Sequence, residues 1–274
     1  MQETKPQLSP PNVLATDLDG TLIPLNNDVT NRRDLARLRS HFESSDRTLV
    51  FVTGRHLQSA QQAIADFDLP VPDWIICDVG TTICKSDGSG NFLSVKGYEA
   101  RLAQLTEGLS QEAVRTALTP LTGLRLQEPE KQGRFKLSYY ADQSELASLT
   151  QQVADRIATL PYSMISSVDP FNGDGLIDLL PQGASKAYAL QWWAAETGRS
   201  ATDLVFAGDS GNDLAALTAG YRTIVVGNAD ASVVDAARLA HHKAGWTDRL
   251  HLAKACATSG VLEGCRFHGL IADA

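Results

Sequence analysis

The run Asp17-Leu18-Asp19-Gly20-Thr21, directly behind the apolar Val13-Leu14-Ala15, constrains this chain more than any other feature. A short buried strand delivers two carboxylates into a tight turn that the glycine permits. Two acidic side chains at a strand end, with no basic neighbour in sequence, are costly unless a cation sits between them. Mg²⁺ is the simplest candidate, because it prefers carboxylate oxygen and keeps several waters. Phosphate is then the natural chemical partner, since a carboxylate, a metal and a phosphoryl group make a workable transfer site.

The remaining pattern agrees with that placement. Short apolar runs at 13–16, 48–52, 74–77, 204–207 and 223–226 read as buried parallel strands, and 31–43, 57–66, 186–197 and 212–219 read as helices between them. This βαβ alternation predicts an α/β fold with a doubly wound, Rossmann-like parallel sheet. Asp17, Thr53 and Asp209 all fall at carboxyl ends of predicted strands, where such sheets bind ligands. After Cys84 the polar, glycine-rich stretch 85–91 reads as a hinge. Beyond it a helix at 97–119, strands at 124–128 and 134–140, a helix at 144–158 and a hairpin of 162–168 with 176–180 make an αββαββ unit. The break at Pro181-Gln182-Gly183 marks the return to the main sheet. The expected organisation is a core in 1–84 and 182–274 around an inserted α+β cap domain in 85–181. Residues before Pro11 read as a loose tail, and 260–268 as a partly apolar segment that packs on the core.

Composition narrows the partners. A formal net charge of -8 without any run of Lys or Arg argues against nucleic acid or an anionic membrane as partner. The four cysteines, Cys77, Cys84, Cys256 and Cys265, show no paired metal-ligand spacing. The first residues lack a basic-plus-apolar secretory pattern. No apolar stretch approaches the ~20 residues that cross a bilayer. A reducing cytoplasm is the expected location.

Asp17 is placed to attack phosphorus, splitting ester hydrolysis into two steps through an aspartyl-phosphate. Asp19, two residues on, would protonate the leaving alkoxide and then deprotonate the attacking water. The structural alternative is that both acids merely cap a turn. Thr53 and Gly54 offer a hydroxyl and backbone N–H groups to a phosphoryl oxygen, although a Thr before a helix equally serves as a cap. Lys186 stands at a helix start, where a cation is unfavourable to the dipole unless an anion is present; alone, it would read as a solvated side chain. Gly208-Asp209-Ser210-Gly211-Asn212-Asp213 repeats the opening logic behind another strand. Here Asp209 would bind Mg²⁺ with Asp17 and the main-chain carbonyl of Asp19, Asp213 would hold a metal-bound water, and Asn212 would join the phosphate-binding residues. As capping residues, Asp209 and Asp213 would simply start a helix.

In this order the four segments resemble the four motifs of the haloacid dehalogenase superfamily of phosphohydrolases, over essentially the entire chain. The αββαββ insertion looks like the C2-type cap, which implies that the cap selects substrate while the core performs chemistry. Leu126-Gln127-Glu128-Pro129, Phe135-Lys136-Leu137-Ser138-Tyr139, Ser166-Ser167, Ile177-Asp178-Leu179-Leu180-Pro181-Gln182 and the 208–213 segment resemble the sucrose-phosphate phosphatase group. That resemblance implies an Mg²⁺-dependent phosphatase for a glycosyl phosphate, sucrose 6-phosphate first, with mannosylfructose phosphate, a glycosylglycerate phosphate or a hexose phosphate as alternatives. A sugar phosphomutase and a non-catalytic sugar-phosphate sensor are the other classes, and the intact acids argue against the sensor. The resemblance also implies that Lys136, on the second cap strand, reaches the sugar, with Gln132 and Ser167 as weaker candidates, and that the enzyme could pair functionally with a glycosyltransferase. The bland alternative for Lys136 is a solvent-facing strand lysine. One departure is the longer loop at 168–175, which could exclude sucrose 6-phosphate, reshape the pocket or project into solvent. Trp192-Trp193 reads as one core residue and one at a domain or subunit surface, since adjacent helical positions point about 100° apart.

Overall fold

The computed structural model describes residues 10–168 and 173–272. The first half contains β1 (Val13–Thr16), α1 (Val29–Glu43), β2 (Thr48–Val52), α2 (Leu57–Asp66), β3 (Trp74–Cys77), β4 (Thr82–Ser86), β5 (Phe92–Ser94), α3 (Lys96–Leu105), α4 (Gln111–Leu118) and β6 (Arg125–Leu126). The second contains β7 (Leu137–Ala141), α5 (Leu146–Ile157), β8 (Tyr162–Val168), β9 (Gly175–Pro181), α6 (Lys186–Glu196), β10 (Leu204–Gly208), α7 (Leu214–Leu217), β11 (Arg222–Val225), α8 (Ala231–Lys243), β12 (Leu250–Leu252) and α9 (Ala257–Phe267). No helix among the described residues is long and apolar enough to cross a membrane.

Eight strands form one sheet in the order β12-β11-β10-β1-β2-β3-β4-β5. Pairs from β12 through β3 are parallel, and β4 and β5 are antiparallel. The central strands are apolar at successive positions because both faces are covered. Val13, Ala15, Val50 and Val52 pack with Ala189, Leu190 and Trp193 of α6. The alternate residues Leu14, Leu49 and Phe51 pack on the other face with Leu35 and Leu38 of α1 and Val261, Leu262 and Cys265 of α9. This is the doubly wound α/β sheet that the βαβ alternation predicts, and segment 260–268 docks on it within α9. With β10 on one side of β1 and β2 on the other, the strand order reverses at β1, and the carboxyl ends at such a reversal are where doubly wound sheets bind ligands.

The smaller sheet is antiparallel, in the order β6-β7-β9-β8. Val114 and Leu118 of α4 and Leu149, Val153 and Ile157 of α5 close over Leu137, Tyr139, Ile177 and Leu179. Three expectations are corrected. The helix expected at 97–119 is two helices, because Glu107 and Gly108 both adopt positive φ, 50° and 77°. Tyr98 and Leu102 of α3 then join the large-sheet core rather than the small one. Stretch 85–91 is the end of β4 and the turn of the β4–β5 hairpin, tied by Asp87 accepting from the backbone N–H groups of Ser89 and Asn91. The chain therefore leaves the large sheet after Ser94. The helix expected at 212–219 shortens to α7 behind a 3₁₀ turn at Gly211–Asp213. Residues 169–172 of the longer loop, and the tail at 1–9, lie outside the described residues.

Candidate active site

The β1–β10 ladder fixes where the first acid emerges. Asp17 stays extended, and its backbone N–H donates to the Ala207 carbonyl at 2.9 Å, one residue beyond β1. Gly20 follows at φ +74°, and a Cβ there would lie 2.5 Å from Asp209 Oδ2. Glycine thus allows both the turn and the approach of the second acidic loop. Thr21 Oγ1 donates to Asp209 Oδ1 at 2.8 Å, and Asn228 Nδ2 donates to the Gly20 carbonyl at 2.8 Å. Carboxylate oxygens of Asp17, Asp209 and Asp213 all come within 4.8 Å of one another.

Lys186 enters from the first turn of α6, where Ser185 caps the helix by accepting from the Tyr188 N–H. Gly80, at φ +93°, lets the loop after β3 press against this helix start, since a Cβ there would run into the Ser185 carbonyl. Lys186 is only 1% exposed. Its Nζ donates to Asp17 Oδ1 at 2.8 Å, Asn212 Oδ1 at 2.8 Å and Asp213 Oδ1 at 2.7 Å, so all three ammonium hydrogens are used. The other oxygen of Asp213 accepts from the N–H groups of Asp209 and Ser210 and from the Ser210 hydroxyl. Lys186 is not a solvated side chain, and Asp213 combines helix capping with the ion pair.

One ammonium cannot balance this many carboxylates. Burial pushes the Asp17 carboxyl well above its ordinary range, Asp213 and Asp209 push the same way, and Lys186 only partly opposes them. Burial likewise raises Asp209 to about 6, against the pull of the Thr21 hydroxyl and with Asp213 adding. Burial works against the Lys186 charge, but Asp17 and Asp213 outweigh it and hold the ammonium above its usual range. A divalent cation would relieve the excess negative charge, and this all-oxygen donor set fits Mg²⁺.

Asp19 points its carboxylate elsewhere. Arg55 clamps it with two parallel bonds, Nε to Oδ2 at 2.8 Å and Nη2 to Oδ1 at 2.6 Å. Ser59 Oγ steadies Arg55 at 3.1 Å. Thr53 is fully buried at the end of β2, its hydroxyl accepting from the Arg55 N–H at 3.1 Å. Next to it, a Cβ on Gly54 would meet only Val79, at 3.9 Å.

The small-sheet candidates divide. Lys136 precedes β7 rather than lying in it and is 5% exposed, which excludes the solvent-facing reading. Its Nζ stands 3.5 Å from Asp78 Oδ1. Gln132 turns both ends of its amide to the backbone: Nε2 donates to the Gln127 and Ser138 carbonyls, and Oε1 accepts from the Ser138 N–H. It braces the entry to β7. Ser167 is exposed on β8. Trp193 is buried edge-on against Trp74, whereas Trp192 packs on Tyr98 of α3. Arg55, Asn228 and Asp78 were not singled out by the sequence. Arg55 had a signal in its place after Thr53-Gly54; the contact of Asn228 spans 208 residues and had none.

Converging strand-end carboxylates around a buried lysine, where the strand order of a doubly wound sheet reverses, place this protein in the haloacid dehalogenase class of hydrolases. Within that class the chain belongs to the sucrose-6F-phosphate phosphohydrolase family, whose family model matches residues 10–269. Among curated relatives, a HAD-like hydrolase of Nitrosococcus oceani is 37% identical over 224 residues, which are 81% of this chain and 60% of that protein. This chain therefore spans less than two thirds of that relative's length. Mannosylfructose-phosphate phosphatase of Agrobacterium fabrum is 29% identical over 265 residues, 96% of this chain and 99% of that protein. Among solved structures, sucrose-phosphatase from Synechocystis, in complex with sucrose and phosphate, superposes with TM-score 0.74 at 20% identity, covering 95% of this chain and 98% of that one. That likeness bears on the fold.

Proposed function

We propose that this protein is an Mg²⁺-dependent phosphatase of glycosyl phosphates, sucrose 6-phosphate first and mannosylfructose phosphate next. The observation that carries the reading is the buried Lys186 bridging Asp17 and Asp213 beside Asp209. The near full-length match to the Agrobacterium enzyme supports the second substrate.

In the first step an Asp17 carboxylate oxygen bonds to phosphorus while the bond from phosphorus to the sugar oxygen breaks, and Asp19 gives its proton to the departing alkoxide. In the second, water attacks the aspartyl-phosphate, Asp19 takes its proton, and Asp17 leaves as a free carboxylate with inorganic phosphate as product. The Arg55 clamp must loosen for Asp19 to carry that proton. Lys186, on giving up one of its three present hydrogen bonds, holds the phosphoryl oxygens together with Asn212, Thr53 and the Gly54 backbone. Asp17, Asp209, Asp213 and the Asp19 carbonyl would hold Mg²⁺, which when bound supplies charge neutralisation at the transferring group.

The division into a core at 1–84 and 182–274 and a cap at 85–181 belongs to this proposal, with the cap's start moved past Ser94 by the β4–β5 hairpin. Lys136 and Ser167 face the sugar on this reading. The substrate requires a glycosyl-transfer reaction upstream, which makes a glycosyltransferase the functional partner. The free state of Cys77, Cys84, Cys256 and Cys265 supports work in the cytoplasm.

Phosphate release from a panel of sugar phosphates, with Mg²⁺ and with chelator, tests the reading. One dominant substrate that fails without Mg²⁺ is expected. Binding of sugar phosphates without release of phosphate from any would overturn it in favour of a sensor.

A further inference from the structure

At the seam between the two sheets lies a buried acid that the proposed chemistry does not use. Asp78 follows β3, is 6% exposed, and opens three successive left-handed residues, Asp78, Val79 and Gly80, at φ 53°, 57° and 93°. Such a conformation is unfavourable for Asp and worse for a β-branched residue, so the surrounding fold must enforce it. Three contacts do so, and each reaches the site. The Asp78 N–H donates to the Arg55 carbonyl at 2.9 Å, the Val79 N–H donates to the Thr53 carbonyl at 3.2 Å, and Gly80 abuts Ser185.

The carboxylate held there is half satisfied. Oδ2 accepts from Thr82 Oγ1 at 3.2 Å, whereas Oδ1 is buried with no hydrogen-bond partner. Lys136, which arrives from the small-sheet side, stands at 3.5 Å from that same Oδ1. This separation is an ion pair but exceeds the roughly 2.7–2.9 Å of a charge-assisted hydrogen bond. A buried acceptor and a buried donor each keep capacity, and an oxygen that both donates and accepts could satisfy the two together. A sugar hydroxyl is such a group; a phosphate oxygen is not, because it would face the Asp78 carboxylate with no proton to give.

We propose that Asp78 is a specificity-determining residue that accepts a hydrogen bond from a substrate hydroxyl whose oxygen in turn accepts from Lys136. The proposal rests on the reading of the protein as a glycosyl-phosphate phosphatase and adds that recognition requires a free hydroxyl on the sugar, read by a carboxylate of the large-sheet body. Loss of such a hydroxyl, or of its acceptor, leaves a buried polar group unpaired, which is how sites discriminate by large factors.

The test compares Asp78→Asn with wild type on sucrose 6-phosphate and on p-nitrophenyl phosphate, which has no hydroxyl to offer. Asn suits the left-handed backbone at this position, so the variant keeps its fold; Lys136→Met and the double variant complete a cycle. The expected result is that the ratio of kcat/KM for sucrose 6-phosphate over p-nitrophenyl phosphate falls at least about 10-fold in Asp78→Asn, mainly through KM. The double variant should lose little more than the larger single one. Equal losses on both substrates, or an unchanged ratio, overturn the role of Asp78 and leave the phosphatase reading standing. Wild type that hydrolyses p-nitrophenyl phosphate but no sugar phosphate overturns both.

Discussion

Lys186 and Lys136 are both withdrawn from water, at 1% and 5% exposure, yet only Lys186 has each ammonium hydrogen engaged. Lys186 is set by three loops of one sheet and the first turn of α6, and its partners are pinned by their own hydrogen bonds. Lys136 reaches across a seam to one carboxylate at 3.5 Å. Burial raises the carboxyl partner in both places, Asp17 and Asp78, with the lysine opposing. The difference teaches which part of the molecule is prearranged: the Asp17–Lys186–Asp213 cluster is assembled in advance, whereas the seam keeps unfilled bonding capacity.

Removing each lysine should expose that difference most strongly. Lys186→Met leaves two buried carboxylates without their cation and is expected to cost about 3–5 kcal/mol of stability. Lys136→Met leaves only Asp78, already partly bonded by Thr82, without its cation and should cost about 1–3 kcal/mol. Urea unfolding of both variants without Mg²⁺ measures the gap, and equal costs would erase the distinction. Next in size is the support under Lys186. Gly80→Ala forces a Cβ into the Ser185 carbonyl at positive φ and should cost at least about 3 kcal/mol. Gly88→Ala has the same handedness but open space around it, so about 1 kcal/mol is expected. The difference in Tm between the two variants checks this pair.

A pH titration sharpens the contrast from the other side, since the six histidines all lie outside 95–181. Burial lowers His268 from 6.5 to about 4, with Arg222 adding and the Thr223 carbonyl opposing. Its folded pKa is depressed, so the unfolded chain takes up the proton first. The stability it permits is present above 6.5 and lost as pH falls towards 4, by up to about 3 kcal/mol. His268→Gln should flatten the stability profile between those pH values; an unchanged slope would assign the acid sensitivity elsewhere.

Much of this was legible in the chain. Val13–Thr16, Thr48–Val52 and Trp74–Cys77 read out directly because strands buried on both faces are short unbroken apolar runs. The convergence of Asp17, Asp209 and Asp213 follows from strand ends that share one edge of such a sheet. What stayed hidden was set by distant contacts. β4 carries Thr82 and Lys85 and resembles a loop by composition, and its strand character comes from pairing with β3. The break between α3 and α4 depends on positive φ at Glu107, a residue with no local preference for it. Gln132 looked like a ligand-binding amide until the backbone around Ser138 claimed it. Asp78 carried no motif; its interest arises only where two sheets meet.

The central claim is that Asp17 is the nucleophile of an Mg²⁺-dependent phosphatase, and Asp17→Asn tests it most directly. Asn fits the same space and removes the attacking oxyanion. Phosphate release from the best sugar phosphate, in Mg²⁺, should fall at least about 10⁴-fold while the variant remains folded. Retention of more than about a tenth of wild-type turnover would contradict nucleophilic attack by Asp17.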